Sequence, residues 1–134
     1  MNGRLLLPAV LISGVLQFFL GLPDIMKALF LLNALDVATG LFSAVVRRQF
    51  RGEVMLVGGA KKVFIWCVVA VGWVLDAHHI LPDLPVDLAS VVAGYYCVME
   101  AASVLKHCAA VGVPLPEVLK GFVGGQGGQD TGSK

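Results

Sequence analysis

In a chain that is otherwise apolar, the residues able to do chemistry are few and unusually placed. Asp36 is the one charge in the 19 residues from Ala28 to Val46, and Glu100 lies inside another apolar run. A carboxylate so placed can exchange a proton, pair with a cation or accept hydrogen bonds. At the centre of a membrane-spanning helix an acid costs about 2.5 to 3.5 kcal/mol, so it is expected to face another helix or water and is a candidate for protonation. Asn33, Asp36, Gly40, Ser43 and Arg47 recur at spacings of three and four with Thr39 beside them, which puts them on one helix face. Tyr96, Glu100, Ser103 and His107 share a face in the same way. Three roles stay open for Asp36: holding helices together by hydrogen bonds, lining a water-filled lesion, or catalysis. Glu100 is either a carboxylate that reaches water at the interface or a partner in helix association.

Other reactive types make no recognisable site. His78 and His79 stand near Asp76 but lack a further fixed ligand for a metal. Cys67, Cys97 and Cys108 are odd in number, with no CxxC or Cys/His spacing, and are read as small apolar fillers. There is no Ser-His-Asp spacing, zinc motif or phosphate loop, and Asp36-x-x-Thr39-Gly40 lacks the further aspartates of the lipid head-group transferases it faintly resembles. No catalytic residue, metal or cofactor is expected, and the chain is not read as an enzyme. With a net charge of +1 and no basic run interleaved with aromatics, no nucleic-acid partner is expected.

The elements that carry these residues follow from composition. Hydrophobic residues make up 57% of the 134, charged residues 14%, and the mean hydropathy is +0.84. Soluble domains carry about 25% charged and 45 to 50% apolar residues, so an all-α integral membrane protein is expected. About four transmembrane helices are expected, at 5–22, 28–46, 61–80 and 88–105, in one helical domain over 1–123. Each run is near the roughly 20 residues that a bilayer core needs. The first resembles a secretory signal, but it is longer than a usual signal core and has no A-x-A-like site before Pro23, so it reads as a retained helix. A short turn at Gly21, Pro23 and Asp24 implies a tight hairpin with the second. The segment from Arg47 to Lys62 reads as a loop, with Val54 to Val57 either at the membrane surface or as an extension of the third helix. The polar tail 124–134, without an apolar anchor, is expected to be disordered.

Cations set the expected orientation. Arg47, Arg48, Arg51, Lys61 and Lys62 crowd the second loop against Glu53 alone, whereas the turn from Leu81 to Asp87 carries no cation. Arg4 precedes the first helix, Lys106, Lys120 and Lys134 lie late in the chain, and Lys27 is the one cation expected on the other side. Four spans with both termini cytoplasmic satisfy the positive-inside rule at every loop.

The pieces Leu35-Asp36-Val37-Ala38-Thr39-Gly40, Lys61-Lys62 before an apolar helix ending Leu75-Asp76, Glu100-Ala101-Ala102-Ser103, and Gly112-Val113-Pro114-Leu115-Pro116 together resemble the phage lysis and toxin-secretion holins. These are small multi-spanning proteins found in phages and beside clostridial toxin genes. The chain departs from that pattern at Met99, Lys106 and His107. The resemblance implies a protein of the bacterial cytoplasmic membrane that forms homo-oligomers in the lipid bilayer and opens a lesion. Its functional partner would be an endolysin or toxin, without necessarily direct contact. The polar set Asn33, Asp36, Thr39, Gly40, Ser43, Glu100 and Ser103 would then serve helix association or line the lesion. The alternative is a small oligomeric ion or proton channel or transporter using Asp36 and Glu100.

Overall fold

A computed structural model describes residues 3–81 and 84–124, and these are helical apart from short connections. The helices are α1 (Gly3–Leu20), α2 (Asp24–Val46), α3 (Gly52–Ala77), α4 (Leu88–Ala110) and α5 (Glu117–Gly124). Among the described residues α1 to α4 are long and apolar enough to cross a membrane. At 1.5 Å per residue they run from about 27 Å to about 39 Å, against a hydrocarbon core of about 30 Å. The expected disordered tail lies outside the described residues except for Gly124, which closes α5.

Several boundaries differ from expectation, each for a local reason. The third helix starts at Gly52 and not at 61, so the basic loop shrinks to a few residues and Lys61 and Lys62 lie well inside α3. Arg51 is extended at its N-cap, and Glu53 complements the helix dipole in the first turn. Three glycines at 52, 58 and 59 suggest a loop, but the apolar run Val54 to Val57 between them continues the helix and overrides their weak propensity. The helix ends at Ala77 and not at 80, because His79 turns left-handed with φ 47°. Its N–H donates to the Asp76 carbonyl at 3.2 Å, and that of Ile80 to the Leu75 carbonyl at 3.1 Å, the double bond of a Schellman cap. Gly112 closes α4 in the same way with φ 90°, five residues later than expected. The second helix begins at Asp24, directly after Pro23, and the first spans 3–20, not 5–22. The short α5 was not anticipated.

α4 is the central element, packing most extensively on α2 and next on α3. Its inward positions are small, with Ala89, Ala93 and Ala102 fully buried, so the helix axes come close. Met26 and Leu29 of α2 and Val69 of α3 complete a small apolar core with Ala89 and Ala93. At one end Gly72 lets α3 touch the α4 backbone, since a Cβ there would stand 3.2 Å from both N and Cα of Ala89. Asp76 strengthens that junction by accepting from the first amides of α4, Leu88 N at 3.1 Å and Ala89 N at 2.8 Å. Asp87 adds its own N-cap by accepting from Ser90 N at 3.2 Å.

The burial pattern is inverted relative to a soluble protein. Asn33, Ser43 and Glu100 are buried, whereas large apolar side chains such as Phe42, Phe64 and Val98 face outward. This arrangement suits lipid, where apolar surface needs no cover but polar groups do. α1 stands largely apart: every described residue in it is exposed except Phe19, whose ring meets Phe30 edge-on with centroids 5.1 Å apart.

Candidate functional site

The polar faces of α2 and α4 meet a lysine from α3. Lys62 Nζ donates to Asp36 Oδ2 at 2.7 Å and also to Glu100 Oε2. The side chains of Lys62 and Asp36 are each 15% exposed, and that of Glu100 is 10% exposed. Low dielectric strengthens such attractions, but it also makes any unpaired charge costly, so the three groups depend on one another. Placement follows from helical phase. Asn33 and Asp36 share the α2 face turned toward α4, and Glu100 lies on the α4 face turned toward both neighbours.

Asn33 extends the cluster. Its NH2 group donates to Glu100 Oε2 at 3.0 Å and its oxygen accepts from Trp66 Nε1 at 2.9 Å, the orientation in which both contacts pair donor with acceptor. On the other side stands His107, whose Nδ1 lies 3.2 Å from Thr39 Oγ1 and 3.3 Å from Asp36 Oδ1. Because the Thr39 hydroxyl already donates to the Leu35 carbonyl at 2.7 Å, Nδ1 is assigned as the protonated nitrogen of the ring. Asp36 Oδ1 itself makes no hydrogen bond to the described residues. Gly40 makes room for the ring, since a Cβ there would stand 3.0 Å from His107 Cε1.

Two cavities border the cluster. One of about 450 Å³ opens between α3 and α4, and one of about 290 Å³ lies toward the start of α3; Asp36, Lys62 and Ser103 line both. The acid is therefore held in the bundle with open space on two sides.

Of the residues singled out from the sequence, Asn33, Asp36 and Glu100 come together directly, and Thr39 and Gly40 join them through His107. Ser43 is buried further along α2, and Ser103 reaches the cluster through the cavities. Among the cations read as setting orientation, Arg47, Arg48, Arg51 and Lys61 are exposed. Lys62 departs from that group, because its face of α3 turns inward onto two acids. Trp66 and His107 were not assigned to the site from the sequence. The available signal was that Lys62 and Trp66 are four residues apart on one helical face, opposite acids that needed a counter-ion.

The model for the bacteriophage holin family matches residues 14–125. The chain belongs to the bacteriophage holin family. The match takes in every residue of the cluster and leaves residues 3–13 of α1 outside. This holin is 29% identical over 117 residues to an uncharacterized protein of Halalkalibacterium halodurans, covering 84% of this chain and 85% of that one. It is 34% identical over 86 residues to a Clostridium perfringens protein described as an uncharacterized 14.9 kDa protein in the nagH 3' region, covering 64% of each. A second uncharacterized C. perfringens protein is 33% identical over 86 residues, or 64% of this chain and 62% of that one. No solved structure matches this holin. The family is not one of enzymes, and with four helices able to span a bilayer the chain is a multi-pass membrane protein.

Proposed function

We propose that this holin accumulates in the bacterial cytoplasmic membrane with both termini in the cytoplasm, assembles with copies of itself, and opens lesions that release an endolysin or a toxin. The observation that carries this reading is the inverted bundle, in which Asp36 and Glu100 turn inward onto Lys62 and Asn33 onto Glu100, while apolar surface faces out. In a monomer or small cluster the charges are sequestered, and the protein is tolerated by the bilayer. In a large assembly the same face turns toward water, which removes the desolvation cost and stabilises an open edge. Small residues on α4 and the polar stripe on α2 hold the helices of one copy together, and assembly would exchange these contacts for contacts between copies.

A second reading, a narrow ion or proton channel through Asp36 and Glu100, is favoured by the two cavities that border Asp36. One experiment separates the two. The protein is induced in a bacterium that also makes a cytoplasmic muralytic enzyme without an export signal, and culture density and membrane potential are followed together. Abrupt lysis that needs both proteins, preceded by depolarisation, is expected. Depolarisation without lysis favours the channel, and unaffected growth at high membrane levels overturns both.

A further inference from the structure

The larger cavity beside the cluster has walls that lesion formation leaves unexplained. α3 and α4 close tightly where Gly72 meets Ala89, but toward Gly58 and Lys106 they leave a cleft of about 450 Å³. Lys61 borders it from α3, Lys106 and Ser103 from α4, and Ile65 and Tyr95 form its apolar continuation. Lys62 is committed to Asp36 and Glu100. Lys61 and Lys106, by contrast, are exposed, and among the described residues neither has a carboxylate within ion-pair distance. Three lysines against two carboxylates leave the lining with a net positive charge.

Depth along the helix adds a constraint on what fits. Lys61 lies just before the uncharged stretch from Val63 to Leu75, so with that stretch in hydrocarbon its flexible side chain snorkels toward the level of the lipid phosphates. A free phosphate would satisfy the lysines but make no use of Ile65 and Tyr95. A zwitterionic lipid would bring a second cation toward Lys61 and Lys106. We infer that this cleft binds the phosphodiester headgroup of an anionic phospholipid, with Lys61 and Lys106 pairing with the phosphate, the Ser103 hydroxyl within the same cleft, and an acyl chain running along Ile65 and Tyr95. The site requires the membrane-inserted bundle and does not depend on lesion formation.

The test uses the full chain purified in a neutral detergent, titrated with phosphatidylglycerol, phosphatidylcholine or inorganic phosphate, with bound lipid counted by native mass spectrometry. Saturable binding of phosphatidylglycerol, preferred over phosphatidylcholine by about tenfold or more, is expected from two lysines near a phosphate. The double variant Lys61→Gln/Lys106→Gln loses that preference, whereas Arg47→Gln/Arg48→Gln, with the same charge removed at the same end of the bundle, retains it. Equal loss in the two double variants means a diffuse surface potential and overturns the site. Inorganic phosphate displacing the lipid at equal concentration overturns the lipid assignment. Gly58→Phe, at a position where a Cβ meets nothing within 4 Å, fills the cleft without changing charge. Its binding of phosphatidylglycerol is expected to fall at least tenfold, and unchanged binding overturns the cleft as the site.

Discussion

Lys62 Nζ lies 2.7 Å from Asp36 Oδ2 while also donating to Glu100 Oε2, so one cation on α3 ties together an acid on each of two other helices. Removing it leaves two buried carboxylates facing one another. Lys62→Met is expected to cost about 3 to 5 kcal/mol, read as a lowered unfolding temperature in detergent. The triple variant Lys62→Met/Asp36→Asn/Glu100→Gln restores most of the loss, because neutral groups carry no comparable desolvation cost. A wild-type unfolding temperature for Lys62→Met alone would show that the cluster contributes nothing to stability.

On the proposed lesion mechanism, Asp36 also links stability to lesion timing. If that mechanism holds, Asp36→Leu removes the acid that assembly would expose, and the onset of permeabilisation is expected to shift. Dye entry into induced cells measures it. Assembly and permeabilisation with unchanged timing would exclude the Asn33, Asp36, Gly40 and Ser43 face as the lesion surface.

At the opposite end of the bundle, Gly72 sets how closely α3 approaches α4. The atoms a Cβ would meet, Ala89 N and Cα at 3.2 Å, belong to backbone and cannot rotate away. Gly72→Ala is therefore expected to destabilise by about 1 to 3 kcal/mol, the range for overpacking a fitted contact. Gly94→Ala on α4, where a Cβ would meet nothing within 4 Å, is the matched control and should unfold close to wild type.

His79 occupies a left-handed position, φ 47°, at the end of α3. A side chain there costs about 1 kcal/mol or more relative to glycine. His79→Gly is thus expected to raise the stability of the bundle by about 1 kcal/mol, and Gly112→Ala, at φ 90°, to lower it by a similar amount. Thermal unfolding of both variants checks the opposed signs, and a fall in stability for His79→Gly would rule out backbone strain there.

Much of the architecture was determined by the sequence alone. Bilayer thickness sets a minimum apolar length, so runs such as Ala28 to Val46 identify spanning helices without reference to their neighbours. The spacing of Asn33, Asp36, Gly40 and Ser43 determines that they share a face, because the helical period is fixed. The start of α3 at Gly52 was not legible, since glycines and cations there are equally compatible with a loop, and only continuation of the helix through the apolar run Val54 to Val57 decides the matter. Nor was the role of Lys62. Lys61 and Lys62 are the same residue type, adjacent in the chain, yet Lys61 is exposed and Lys62 is bound between two acids. They differ by about 100° of rotation around α3. Which of them turns inward depends on the face that α3 presents to α2 and α4, and only tertiary packing sets that rotation.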